Sequence, residues 1–128
     1  MKLLLDTHTF IWWFDEPERM SPTAYAACAN TDNTLILSTV SILEMQIKIQ
    51  LGKLTLQYPL EDVVVALERL NALVVLPLLP EHVYALKDLP LLHRDPFDRL
   101  LVAQAKVCSA TLVSADRVLP DYGVPILW

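Results

Sequence analysis

The chain has 128 residues, 54% of them hydrophobic and 20% charged, with two glycines and a formal net charge of −5. Such a length builds one domain with a real core, and the high apolar share adds an expectation of surface covered by a partner. The acidic balance argues against a general-purpose nucleic-acid coat, although setting aside the four acids singled out below leaves eleven acids against ten bases, close to neutral and compatible with a locally basic rim.

Cys28 and Cys108 form no CxxC or zinc-like spacing and fall in apolar helical contexts, so they read as reduced thiols. Asp6 and His8 interrupt the N-terminal apolar stretch too early for a signal peptide. The run from Leu73 to Leu79 is too short to span a membrane and contains Pro77. A cytoplasmic protein with no membrane partner is expected.

In chain order, Lys2-Leu-Leu-Leu is a continuous apolar run ended abruptly by Asp6-Thr7-His8, the pattern of a central parallel strand buried on both faces. Thr7 to Phe14, with Phe10, Trp12, Trp13 and Phe14, predicts a short helix; adjacent tryptophans point in different directions on a helix, which leaves one available to a partner. Ser21-Pro22 starts a helix to about Asn30, with serine as N-cap and proline at the first position. Thr34 to Ser38 is a strand. Ser41 opens a helix to about Leu51, stopped by Gly52, and its apolar residues occupy more than one face. Leu60 to Asn71 is a third long helix with Glu61 and Asp62 in its first turn. Leu73 to Leu76 is a strand, Glu81 to Lys87 a short helix, and the last major helix starts within His93–Arg99 and runs to about Ser109. Thr111 to Ser114, a helical turn from Asp116 to Leu119, and Val124 to Leu127 complete the chain. Alternating strands and helices predict an α/β domain with a mainly parallel sheet, single from residue 1 to 128.

Four acids hold comparable places, at strand ends or in first helical turns: Asp6, Glu44, Asp98 and Asp116. Each has a local explanation. Asp6 can cap the following helix, Ser41-Ile-Leu-Glu44 matches a capping box, Asp98 sits at the third position of a helix capped by Asp95, and Asp116 suits a turn. Together they point elsewhere, because ligands bind beyond the carboxyl ends of parallel strands. Like charges crowded there raise one another's pKa unless a cation neutralises them. A cysteine-free carboxylate set is hard and oxygen-rich, and favours Mg²⁺ or Mn²⁺ over zinc. Such a site suits phosphoryl oxygens, with metal-activated water as nucleophile. Nearby, Thr7, Ser41 and Ser114 can hydrogen-bond the ligands or their water; Arg94, Arg99 and Arg117 can bind phosphate or form solvated ion pairs. His8 and His93 are read as surface or packed residues before outer-sphere ones, and Asp95 as a helix cap before a ligand.

These segments resemble the PIN-domain family, specifically toxin ribonucleases of the VapC type. The resemblance is carried by Leu3-Leu-Leu-Asp6-Thr7-His8, by Ser38-Thr-Val-Ser41-Ile-Leu-Glu44, by His93-Arg-Asp95-Pro-Phe-Asp98-Arg99 with the apolar helix after it, and by Leu112-Val-Ser114-Ala-Asp116. It implies a three-layer α/β/α fold with a sheet of about five strands, and metal-dependent cleavage of RNA by an acidic quartet of Asp6, Glu44, Asp98 and Asp116, the last contacting metal directly or through water. It also implies a homodimer and a cognate antitoxin that covers the site; Trp12, Trp13 and the two-faced helix from Ser41 would suit those surfaces. The acidic balance favours a specific structured RNA over indiscriminate degradation. Two other readings compete. Asp6-x-x-Thr9 resembles the nucleophile strand of haloacid-dehalogenase-like phosphatases, but His8 stands where that family needs a second aspartate. A non-catalytic PIN-like binding module is the other, and it has no need to keep four acids.

Overall fold

In a computed structural model describing residues 1–128, Leu3, Leu4 and Leu5 have no exposed surface. They form strand β1 (Lys2–Leu5), which lies at the centre of a five-stranded sheet of order β3-β2-β1-β4-β5, with β2 Thr34–Ser38, β3 Val74–Leu76, β4 Thr111–Val113 and β5 Ile126–Leu127. Every pairing is parallel, with Leu4 opposite Ile36 on one side and Leu112 on the other. A strand in that position has no wet face, which is why it reads as an unbroken leucine run.

Six helices cover the sheet: α1 Thr7–Asp15, α2 Pro22–Ala29, α3 Thr39–Gln50, α4 Leu60–Leu70, α5 Pro80–Tyr84 and α6 Pro96–Cys108. Alternate strand side chains enter separate cores. Leu3, Leu5, Leu35 and Leu37 meet Phe10, Ala24, Met45 and Val63 on one face. Leu4, Ile36 and Leu112 meet Val40, Leu101, Val102 and Leu119 on the other. The result is a three-layer α/β/α domain. Helix α3 contributes Met45 to one core and Val40 to the other, which accounts for its apolar residues on more than one face. None of the helices is long and apolar enough to cross a membrane. Both cysteines are free, and burial pushes the Cys28 thiol up to about 11, the behaviour of an inert packing residue.

Several boundaries differ from the sequence expectation; β5, for example, begins at Ile126 where a strand from Val124 is expected. Helix α3 begins at Thr39, because Ser38 at the end of β2 accepts the Val40 amide at 3.0 Å and takes the N-cap position. Ser41 is therefore inside the first turn and fully buried, and the capping box of Ser41 with Glu44 does not form. The turn expected from Asp116 to Leu119 is displaced to a 3-10 segment at Leu119–Tyr122, since Asp116 Oδ1 accepts the Val118 amide at 2.9 Å and holds an open turn there. The helix expected from Glu81 splits into α5 and a 3-10 segment at Ala85–Asp88.

The strand order positions the site. From β1 the chain steps outward through β2 to β3, then returns to place β4 on the other flank of β1. The connections leave β1 and β4 in opposite directions, so a crevice opens at their carboxyl ends. The Asp6 amide donates to the Val113 carbonyl at 3.1 Å across it. Because Leu4 is sealed between two neighbouring strands and one core, Leu4→Ala should cost about 2–5 kcal/mol of unfolding free energy, read from the urea midpoint at constant m-value.

Candidate active site

Asp6 is the first residue past β1 and the N-cap of α1. Its Oδ1 accepts the Thr9 amide at 2.8 Å, and only 6% of the residue is exposed. Burial raises its carboxyl above the ordinary range; hydrogen bonds from the Ser114 hydroxyl and from Thr9 offset part of the rise. Ser114, buried past the end of β4, also accepts the Asp116 amide at 3.0 Å, so one hydroxyl ties the two acids together across the crevice.

Glu44 reaches the same region from α3. The Thr7 hydroxyl sits 2.7 Å from Glu44 Oε1 and 3.1 Å from Ser41 Oγ, all three side chains being buried. Glu44 Oε2 pairs with Lys48 Nζ at 2.7 Å, one turn further along the helix. Thr7 and Ser41 thus orient Glu44, and the role of Ser41 as helix cap passes to Ser38.

On the opposite side Asp95 caps α6, its Oδ1 accepting the Phe97 amide at 2.9 Å. Asp98 lies one turn in. His93 Nε2 stands 3.2 Å from Asp98 Oδ2 and 3.0 Å from Asp116 Oδ2. The Asp95 amide donates to His93 Nδ1 at 3.0 Å, which leaves the ring proton on Nε2, shared between the two carboxylates. The ligand atoms of His93, Asp98 and Asp116 lie within 4.8 Å of one another. His93, expected as a surface or packed residue, is instead the bridge between two of the four acids.

Asp6, Asp98 and Asp116 line one cleft of about 360 Å³, together with His8, Trp12, His93 and Ala115. A larger cavity of about 600 Å³, beside Trp13, Tyr25, Cys28 and Arg69, lies at the other end of the strands and has no carboxylate. The chemistry belongs to the smaller one. There, partial burial and the fields of Asp95, Asp6 and Glu44 push the Asp98 carboxyl up to about 7, with His93 opposing. Two carboxyls held above their ordinary range in one cleft, Asp6 and Asp98, fit a divalent cation, whose charge favours their ionised forms. All four acids supply hard oxygen donors, suited to Mg²⁺ or Mn²⁺.

The bases divide. Arg94 and Arg117 are exposed beside His93 and Asp116. Arg99, a sequence candidate for phosphate, turns away: its guanidinium points at the carbonyls of Leu86 and Leu89, each at 3.5 Å. That geometry anchors the segment after α5 and removes Arg99 from the cleft. Lys48 was legible as an i, i+4 partner of Glu44 but was not singled out. The two tryptophans diverge as a helix requires, Trp12 into the cleft wall and Trp13 onto Tyr25, with ring centroids 5.3 Å apart.

Comparison with known proteins adds a family. A model described as PIN domain matches residues 3–125. No curated protein matches the chain by sequence. Among solved structures, a chain of VapBC2 from Rickettsia felis, bound to a DNA fragment from their promoter, superposes with a TM-score of 0.71 at 17% identity, covering 98% of this chain and 97% of that one. A chain of DNA-bound VapBC from Salmonella typhimurium gives 0.67 at 18%, covering 98% and 96%. One of FitAcB from Neisseria gonorrhoeae gives 0.62 at 18%, covering 97% and 95%. At such identities the likeness is one of fold.

The raised Asp98 carboxyl has a measurable sign. Without metal, the folded protein holds a proton on Asp98 up to about 7, whereas an unfolded aspartate releases it near its ordinary pKa of about 4. The folded state binds more protons across that window, so metal-free stability falls as pH rises through it. Asp98→Asn should raise the metal-free Tm at pH 8 by a few degrees, with little change at pH 4, and should abolish the further rise that Mg²⁺ gives the wild type. Thermal denaturation at the two pH values, with EDTA or Mg²⁺, reads all of this.

Proposed function

Because the chain belongs to the PIN-domain family, we propose that it is a VapC-type toxin, an endoribonuclease that hydrolyses phosphodiester bonds in RNA with Mg²⁺ or Mn²⁺. The observation that carries this reading is the gathering of Asp6, Asp98 and Asp116 on one cleft, with His93 between the last two, where burial first and the fields of Asp95, Asp6 and Glu44 second push the Asp98 carboxyl up. Asp6, Glu44, Asp98 and Asp116 would hold the cation, Asp116 directly or through water. When bound, the ion lowers the pKa of water and offsets charge on the phosphate and on the leaving 3′ oxygen.

The remaining roles belong to the chain itself. Thr7 donates a hydroxyl hydrogen bond to Glu44 Oε1 and fixes its orientation. Ser114 joins Asp6 to the Asp116 backbone, and His93 donates Nε2–H between Asp98 and Asp116. Support of this kind fixes the donor oxygens before the cation arrives and lowers the reorganisation that binding requires. Arg94 and Arg117 present positive charge to the phosphates beside the scissile one. No protein nucleophile is required.

The solved neighbours belong to VapBC and FitAcB assemblies, and this chain is assigned, in the same way, a cognate antitoxin in the cytoplasm. Leu43, Ile47 and Leu51 on or just past α3, with Val83 and Tyr84 on α5, are exposed apolar side chains that a homodimer or the antitoxin would cover. The expected site of action is a specific RNA, in keeping with the net charge of −5.

Incubation of total RNA with the purified, antitoxin-free protein should give discrete fragments with Mg²⁺ or Mn²⁺. They should disappear with EDTA and with Asp6→Asn or Asp98→Asn. Thr7→Val, which removes the hydroxyl that orients Glu44, should lower the rate roughly tenfold to a hundredfold. A well-folded wild type that cuts nothing at any metal concentration would leave a non-catalytic binding module as the better reading.

A further inference from the structure

One wall of the cleft takes no part in the proposed chemistry. His8 and Trp12 line it beside Asp6, facing His93, Asp98 and Asp116. They project from α1 four residues apart, on the same helical face, with ring centroids 5.9 Å apart and planes inclined by 36°. Trp128 extends the row, 5.7 Å from Trp12 and inclined by 55°. The Arg19 guanidinium lies over the Trp12 ring at 5.0 Å and is steadied by Glu16 at 3.5 Å. Trp12 rests partly against the core and His8 is exposed, so the fold leaves aromatic surface in the cleft that packing does not use.

We propose that His8 and Trp12, with Trp128 packed against Trp12 and Arg19 over the Trp12 ring, form a subsite that stacks an unpaired nucleobase adjoining the scissile phosphate. The inference rests on the ribonuclease reading, in which the acids of the same cleft receive that phosphate. A strand lying there carries its bases past the aromatic wall, because the two walls belong to one opening. Charge makes the contact necessary. The protein is at −5, and its cleft adds carboxylates that repel a phosphate chain, so counter-ion release on a basic surface supplies little affinity. Stacking on aromatic faces is indifferent to that repulsion, is sequence-tolerant, and contributes roughly tenfold or more in affinity per base. It also selects: bases inside a duplex are stacked on their own neighbours, and only a splayed base offers a free face. Arg19 over the ring holds Trp12 in place in advance, which limits the ordering that binding would otherwise impose.

The test uses a short single-stranded RNA of mixed sequence, the same strand annealed to its complement, and Ca²⁺ to occupy the acids without supporting turnover. The wild type should bind the single strand at least tenfold more tightly than the duplex, with quenching of tryptophan fluorescence and a shallow dependence on salt. His8→Ala and Trp12→Leu should each weaken single-strand binding about tenfold, leave duplex binding unchanged, and retain the Mg²⁺-induced rise in Tm that reports an intact acid site. Should Trp12→Leu unfold, the exposed His8→Ala and the conservative Trp12→Phe carry the test, the latter retaining most of the affinity. Equal binding of single strand and duplex, binding unaltered in the variants, or no binding of either RNA would each overturn the subsite. Cleavage separates the two readings. Wild type and variants cutting RNA with the same KM would overturn the subsite and keep the nuclease. Stacking without any Mg²⁺-dependent cleavage would keep the subsite and overturn the nuclease.

Discussion

Burial of carboxylates at the carboxyl ends of β1 and β4, with mutual repulsion added at Asp98, is the constraint around which the site is arranged. Asp6 and Glu44 are both almost fully buried, yet both are kept within the field of Asp98. Desolvating several acids together is unfavourable, and a fold that nevertheless does so must fix each one against retreat into solvent. The parallel sheet supplies the frame. Its central strand is sealed on both faces, so the first residue that can be polar is also the residue at the mouth of the crevice.

Capping interactions provide the fixation. Asp6 caps α1 and Asp116 closes the turn after β4, while Asp95 caps α6 and sets Asp98 one turn inside it. In Asp6 and Asp116 one oxygen satisfies a backbone amide while the carboxylate as a whole is aimed into or beside the cleft. Local structural roles and a place in the site are therefore compatible in these residues, because the cap is what orients the acid. The hydroxyls of Thr7 and Ser114 extend the same arrangement between elements far apart in sequence.

This explains what was legible in the sequence. The central strand, its parallel neighbours and the helices between them follow from apolar runs and cap residues, and these are local signals. The gathering of Asp6, Asp98 and Asp116 follows from their shared position at strand ends and first turns. What could not be read depended on contacts across the chain. Ser38 and Ser41 are equally good caps by composition, and only the end of β2 selects the first. Arg99 looked like a phosphate ligand because it follows Asp98, but the helical turn sends its side chain to the carbonyls of Leu86 and Leu89. His93 acquires its bridging place because the loop before α6 folds its ring back onto the Asp95 amide, and Trp12 meets Trp128 only because the sheet brings the far end of the chain beside α1.

The Lys48–Glu44 pair carries a consequence for which ions the cleft will admit. An ammonium group already sits 2.7 Å from one oxygen of a buried carboxylate, on a side chain that keeps about a third of its surface in water and is free to swing outward. Sodium or potassium displacing it would exchange one unit charge for another and gain nothing to offset its own dehydration. An ion of higher valence adds charge to the crowded acids while releasing the lysine to solvent. On the proposed metal-binding reading, the site would discriminate by valence before coordination geometry is consulted, and would do so with a residue that need never touch the metal.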